Sequence, residues 1–396
     1  MQARLSNGEF IALIAVLFAT IAISIDAMLP ALPEIAASLS PDAPNRAQLV
    51  ITSFVFGMGL GTLFAGPMSD AFGRKPVIIG GAVLYAIGAM ACWMANSLEI
   101  LLIARVVQGL GSAGPRAVSI AMVRDLFSGR EMARIMSFAM MIFTLVPAVA
   151  PMMGQGIVAL AGWHTIFLTY VVFAAFSSGW LALRQPETLP PASRRPLALD
   201  ALTRGVAEVF SHRIVVISVL CQTLTLAMLF STLSSMQGIF DQRFGQGDNF
   251  PYWFAGIALT SMTGSFVNSR IVMRVGMRAV VVATYGYVVA LTAVILALIV
   301  AGIMPETMAF PAHLLWSVGL FAMMGLTMGN LNALAMEPVG HIAGLASSVI
   351  SALATVAAVL LAIPVGQMLN GTQVPLMTAV LIFATLALGL MRLARR

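Results

Sequence analysis

Apolar positions come in long blocks along this chain, with no regular alternation of polar and apolar residues. Blocks close to the roughly 20 residues needed to cross a ~30 Å hydrocarbon core fall at 10–33, 47–69, 77–96, 98–123, 133–160, 163–184, 214–238, 251–268, 279–303, 311–334, 343–368 and 374–391. A backbone in lipid has to satisfy its own polar groups, so each block predicts a helix. The pattern predicts an all-α membrane protein with twelve transmembrane helices. The first block is too long for a signal peptide and lacks a small-residue cleavage site, so it is expected to be retained.

Polar stretches divide the blocks. The longest, from Arg184 to Arg213, is rich in Pro and Arg and separates two sets of six blocks. It predicts a first six-helix bundle over 1–185, a cytoplasmic linker over 186–212 and a second bundle over 213–396. The segment from Pro190 to Asp200 is most simply a solvated linker, with Arg194, Arg195 and Arg204 also placed to touch anionic headgroups. An internal echo runs across the division. The stretch after the second block reads DAFGRKP, and the one after the eighth reads MRVGMRA. Laying Gly73 on Gly276 clusters basic residues around both, as expected for a repeat about an axis along the membrane normal. Asp70 then falls on Met273, so the second copy lacks the acid.

Composition agrees with a membrane protein. Of 396 residues 60% are apolar and only 9% charged, with mean hydropathy +0.97, too few polar groups to cover a soluble globule. The formal charge of +6 does not call for a nucleic-acid partner, because of where the bases lie. With a cytoplasmic N-terminus, 17 of the 21 Lys and Arg fall on the cytoplasmic side. Only Arg46 and Arg243 lie in outer loops, and Arg105 and Arg116 lie within the membrane. This asymmetry meets the positive-inside rule and predicts that both termini are cytoplasmic. Cys92 and Cys221, both in apolar blocks, suggest neither a disulfide framework nor a metal site, and no cofactor is called for.

The candidate chemistry rests on a few buried charges. Asp26 is the one acid well inside a block, and carboxylates at bilayer depth usually mark ion or substrate pathways. It reads as a proton site; Pro30 and Pro33, which end the helix above it, also allow a residue merely solvated near the outer surface. At ~1.5 Å per residue, Asp26 lies about 24 Å above the start of the first helix and Arg105 about 10 Å below the outer start of the fourth. In a core ~30 Å thick their levels differ by a few ångströms, which allows an ion pair. Arg116 is about 20° round from Arg105 at ~100° per residue but much deeper. It either lines a cavity or snorkels to the headgroups. The second half offers only Gln222, Asn330, Asn332 and Gln367 as buried polar groups, among Phe, Met and small residues. His164, His212, His313 and His341 are expected at helix ends, away from any catalytic cluster.

The stretch Gly66-Pro-Met-Ser-Asp70-Ala-Phe-Gly73-Arg74-Lys75 resembles the G-x-x-x-D-x-x-G-R-[KR] loop of the major facilitator superfamily. That resemblance implies two six-helix bundles that alternate between inward-open and outward-open states. It also implies a cytoplasmic latch made by Asp70 and Arg74, with Asp125 as the partner of Arg74. Arg105, followed by Gln108 and Gly109, resembles the family's R-x-x-x-G motif, in which the arginine contributes to proton transfer. The segment Pro147-Ala-Val-Ala150-Pro151-Met-Met-Gly154 is similar to the drug–proton antiporter motif G-P-x-x-G-G in a departed form.

Four further stretches, DAMLPALP, QGLGSAGPRAVSIAMVRDLF, PAVAPMMG with GWHTIF, and LNALAMEPVGHIAGLASS, resemble the bicyclomycin and chloramphenicol resistance (Bcr/CflA) branch of bacterial drug exporters. His164 departs from the Arg of many relatives. The resemblance implies a proton-coupled exporter of amphipathic, drug-like small molecules, monomeric, not an enzyme, in the bacterial inner membrane. Its partners would be that substrate, protons and the lipid bilayer. The rivals are an exporter of a small metabolite such as a sugar or amino acid, and a non-transporting receptor. The first predicts charged cavity groups in the second half, and the second a signalling domain.

Overall fold

The computed structural model describes residues 5–194 and 206–394. Among these are twelve long α-helices and no strand. They are α1 (Asn7–Asp26), α2 (Leu49–Phe72), α3 (Arg74–Trp93), α4 (Leu98–Leu126), α5 (Gly129–Ala161) and α6 (Thr165–Arg184), followed by α7 (Arg213–Gln242), α8 (Phe250–Val275), α9 (Met277–Val300), α10 (Glu306–Met336), α11 (Ala343–Gln367) and α12 (Val374–Leu393). Among the described residues ten spans are long and apolar enough to cross a membrane. The less apolar two are α4, which carries Arg105 and Arg116, and α8, with its Ser, Thr, Asn and Arg residues.

Every expected block carries a long helix, and several helices outrun their blocks. Helix α8 continues past 268 through Arg270 and Arg274 to Val275, and α10 begins at Glu306, after Pro305, five residues before its block. The apolar window marks only the part that needs lipid, whereas caps and glycines set the ends. His313 consequently lies inside α10, buried among Phe240, Phe244 and Trp316, and not at a helix end.

Helix α1 stops earlier than its block, for a local reason. Pro30 lies four residues beyond Asp26, and a proline ring clashes with the carbonyl of residue i−4. The α-helix ends at Asp26, and the chain continues as a 3-10 turn at Leu29–Ala31 and a short α-helix at Leu32–Leu39. The first block is thus a broken helix with its acid at the break.

The helices form two compact units, the first reaching 194 and the second starting at 206 among described residues. Arg195 and Arg204 of the linker lie outside the described residues. In the first unit α4 packs along α2 and α3, α3 along α6, and α1 along α5. In the second, α10 packs along α8 and α9, α9 along α12, and α7 along α11. Adding six to each helix number maps one set of neighbours onto the other.

The repeat extends to single residues. Gly73 and Gly276 join α2 to α3 and α8 to α9 with φ of 105° and 85°, a region that favours glycine. Lys75 Nζ donates to the carbonyl of Ala182 near the end of α6, and the Arg278 guanidinium donates to the carbonyl of Ala394 at the end of α12, both at 2.6 Å. Each base satisfies a helix-terminal carbonyl and meets the negative end of the dipole. The hydroxyl of Tyr85 on α3 bonds to Ser24 on α1, and that of Tyr285 on α9 bonds to Thr225 on α7.

Small residues set the close packing of α4. A Cβ on Gly109 would collide with the carbonyl of Phe54 on α2, and one on Gly111 with the backbone of Tyr85 on α3. Such contacts allow backbones in lipid to approach closely, where apolar burial gives little preference for another helix.

Candidate functional site

At the joint between α2 and α3 the structure brings the expected latch residues together. Arg74 is 4% exposed. Its Nε donates to Asp125 Oδ2 at 2.9 Å, and its Nη1 donates to Asp70 and to the Ser69 hydroxyl. Ser69 in turn donates to the carbonyl of Gly66 at 2.8 Å. One guanidinium therefore ties the end of α2 to the end of α4, using the planar fork that a lysine lacks.

Two members of this cluster are not legible as a motif. Glu187, just after α6, accepts from the backbone N–H groups of Arg74 at 3.0 Å and Lys75 at 3.1 Å. It also accepts from those of Thr188 and Leu189. A carboxylate at the first turn of α3 satisfies unpaired N–H groups and faces the positive end of the dipole. The Thr188 hydroxyl donates to Asp125 at 3.1 Å. The start of the linker is thereby pinned to α3 and α4. Gly73 is confined as well, since a Cβ there would meet Glu187 Oε2 at 2.6 Å.

Deeper in the unit, Arg105 has no exposed surface. Its Nε donates to Val50 O at 3.0 Å, Nη1 to Gln108 Oε1 at 2.8 Å and Nη2 to Ser24 O at 3.0 Å. The guanidinium lies over the Phe54 ring, 4.4 Å from its centroid. Ser24 is two residues before Asp26, so the matching levels expected for Arg105 and Asp26 agree with the structure. The ion pair is not formed in this structure. Arg105 instead binds backbone carbonyls of α1 and α2, because they and Gln108 surround the fork. Tyr85 and Tyr170 complete the surroundings, with the Tyr170 hydroxyl donating to Ser24 O at 3.5 Å.

Asp26 is 5% exposed. Among the described residues nothing donates a hydrogen bond to its carboxylate and no base pairs with it. Helix α5 closes on it. A Cβ at Gly154 would collide with the carbonyl of Ala27, and Ala150 and Pro151, one turn earlier, are buried. Pro147 is half-buried. The segment resembling the antiporter motif therefore packs its glycine beside the acid.

Arg116 is exposed and has no hydrogen bond or ion pair among the described residues, in contrast to Arg105. The four polar residues of the second unit separate. Gln222 is buried, with its Nε2 unpaired among the described residues. Asn330 is buried and donates to Asn268 Oδ1 and Leu326 O, both at 2.8 Å. Gln367 is half-buried, and Asn332 is exposed. The expectation that all four are buried is corrected for the last two. Asn330 and Asn332 lie two apart on one helix and so point to different faces. Helix α7 also buries Ser218, Ser231, Ser234 and Gln237, which look like filler in an apolar block.

A repeated six-helix unit, a guanidinium clamped by two carboxylates at a helix joint and a buried acid at a helix break sit together in this fold. Residues 12–362 match the Major Facilitator Superfamily, and the chain belongs to that family. It is 32% identical over 277 residues to the bicyclomycin resistance protein homolog of Haemophilus influenzae, covering 70% of this chain and 69% of that protein. It is 32% identical over 161 residues to a chloramphenicol resistance protein of Pseudomonas aeruginosa, covering 40% of this chain and 38% of that one. The fold is similar to the crystal structure of a D-xylose-proton symporter, with TM-score 0.76, 16% identity and coverage of 96% and 95%.

Proposed function

We propose that the protein is a proton-coupled exporter of amphipathic small molecules, working by alternating access in a bacterial inner membrane with both termini in the cytoplasm. The observation that carries this reading is Asp26, a carboxylate buried at a helix break with no described partner. An unpaired charge in such a place is costly, and binding and releasing a proton changes that cost. Drug-resistance names among the relatives support a drug-like substrate. The absence of Asp, Glu, Lys or Arg from the middle of the second unit's helices suits neutral or lipophilic cargo.

Asp26 takes the proton in this reading, Arg105 fixes the backbone around it, and Gly154 makes the contact that lets α5 move against α1. Asp70, Arg74 and Asp125 form a cytoplasmic latch. A driving force of ~150–200 mV supplies about 3.5–4.6 kcal/mol per proton. At one proton each, that supports a gradient of roughly 300- to 2,000-fold for neutral cargo.

The test is substrate-triggered proton release by purified protein across a panel of antibiotics, in wild type and Asp26→Asn. Wild type should release protons and the variant should bind substrate without doing so. Equal release from both would remove Asp26 from the mechanism. Transport of a sugar or amino acid, with no drug moved, would replace the reading by a metabolite exporter.

A further inference from the structure

The outer face of α6 holds a feature that the transport reading does not use. Ala175, Phe176, Gly179, Trp180, Leu183 and Arg184 line an open groove of about 480 Å³. Ala175 and Gly179 are one turn apart and keep the helix surface low, while Phe176 and Leu183 are 57% and 87% exposed beside them. From 175 to 184 the helix advances about 14 Å at ~1.5 Å per residue. That is close to half of a ~30 Å hydrocarbon core. The groove is therefore about one leaflet long, and its charged end lies where headgroups begin.

The charges at that end are specific. Arg184 Nε donates to Glu9 Oε1 and Nη2 donates to Oε2, both at 2.9 Å. Trp180 Nε1 donates to Oε1 at 3.3 Å. A guanidinium has five N–H groups and each carboxylate oxygen about two acceptor sites. Among the described residues, three N–H groups of Arg184 and one acceptor site on Glu9 Oε2 remain. The Arg184 side chain is 58% exposed and that of Glu9 26%, so both remainders are within reach of a ligand. The end of the groove thus presents donors for an anion beside a single acceptor for a cationic N–H. A phosphate next to a primary ammonium matches this set. A quaternary ammonium has no N–H to donate, and a purely anionic headgroup leaves the Glu9 acceptor facing like charge.

We propose that this groove binds a glycerophospholipid whose headgroup carries a primary amine, as in phosphatidylethanolamine, with an acyl chain along α6. The phosphate sits on Arg184 and the ammonium on Glu9. Trp180, part of the groove and hydrogen-bonded to Glu9, reports occupancy. The site lies outside the latch and the Asp26 region and does not depend on what the protein transports.

The experiment uses the full-length protein in vesicles of equal parts phosphatidylethanolamine and phosphatidylcholine, with bromine on the acyl chains of only one of them. Subtracting the signal of Trp180→Phe isolates the quenching of Trp180. Quenching should report a roughly 3- to 5-fold preference for the primary-amine lipid, the scale of one partly exposed charge contact. Glu9→Gln should bring that preference to about one while both lipids still quench. Should Glu9→Gln fail to fold, N-methylated headgroups decide with the wild-type protein. Mono- and dimethyl forms, which keep an N–H for Glu9, should stay preferred over phosphatidylcholine, the trimethyl form; a dimethyl form that quenches no better than phosphatidylcholine overturns the proposal. Equal quenching by both lipids in wild type overturns the proposal, as does stronger quenching by phosphatidylglycerol than by phosphatidylethanolamine, which would mark an anionic-lipid surface.

Discussion

Arg105 Nη2 donates to the carbonyl of Ser24, two residues before Asp26, while no bond runs from the guanidinium to the Asp26 carboxylate. The two charged groups are thus linked through the backbone of α1. The arginine acts on the place where α1 breaks, and it leaves the acid without a counter-ion that would have to be displaced before a proton could bind.

This arrangement separates the two buried arginines. Arg105→Ala would remove three charge-assisted hydrogen bonds, to Val50 O, Gln108 Oε1 and Ser24 O, and leave Ser24 O only the 3.5 Å bond from Tyr170. Each hydrogen bond from a charged group contributes about 1.5–3 kcal/mol, so a marked fall in thermal stability is expected together with loss of proton release. Arg105→Lys should recover only part, since an ammonium does not reproduce the planar fork. Arg116→Ala, which breaks no described bond, should leave stability within about 0.5 kcal/mol of wild type. Melting curves of the three purified variants check this. Equal losses at 105 and 116 would contradict the assignment.

Asp26→Asn should abolish uphill export while keeping exchange of neutral cargo, because an amide retains hydrogen bonding but carries no ionisable proton. Counterflow and gradient-driven transport, measured on the same proteoliposomes, separate the two. Wild-type uphill rates in the variant would exclude Asp26 as the coupling acid.

What could be read from the residues, and what could not, follows from how each feature is encoded. The twelve helices were legible because each membrane crossing needs a long apolar run whatever its neighbours are. The Arg74–Asp70–Asp125 cluster was legible through the resemblance of the Gly66–Lys75 stretch to a family loop, which implied Asp125 as the partner of Arg74; spacing alone marks only Asp70 and Arg74. Glu187 was hidden, since its partners are mostly backbone N–H groups and its setting is Pro-rich. Tyr85 with Ser24 was hidden too, because hydroxyls within apolar blocks look like packing. The break at Asp26 was partly legible. Pro30 announces an end, and only the clash with the carbonyl four residues back places that end on the acid itself.

Removing the latch should shift conformational populations. Asp70→Asn weakens the hold on Arg74, and a coupling change of ~1–3 kcal/mol alters occupancy about 5- to 150-fold. Spin labels at the C-terminal ends of α2 and α8 should show redistributed distances. Unchanged distributions would count against a latch.

Glu187 ties the linker to α3. Glu187→Gln keeps one acceptor oxygen where four N–H groups converge, and loses the charge that favours the helix N-terminus. A cost of about 1–1.5 kcal/mol is expected, equivalent to roughly tenfold faster local opening. Hydrogen exchange at Thr188 and Leu189 should rise by that factor while exchange in the middle of α3 stays unchanged. No change at those two amides would mean that the linker is held by Thr188 and Asp125 alone.

The last prediction concerns Gly154, where α5 meets the break in α1. Any Cβ there runs into the carbonyl of Ala27, and the obstacle is backbone, which cannot rotate aside as a flexible side chain does. Gly154→Ala must therefore push α5 away from α1 next to Asp26. Overpacking of this kind costs typically about 1–3 kcal/mol, so the variant should still fold with a lowered melting temperature. Its effect on function should exceed its effect on folding, because the displaced contact borders the acid. Uphill export should fall at least tenfold. Gly156→Ala supplies the control, as a Cβ there meets nothing within 4 Å and should leave both stability and export near wild type. Parallel transport and melting measurements on the two variants distinguish a local requirement at Gly154 from general sensitivity of α5. Equal losses of export in both would remove the special role given to the Gly154–Ala27 contact.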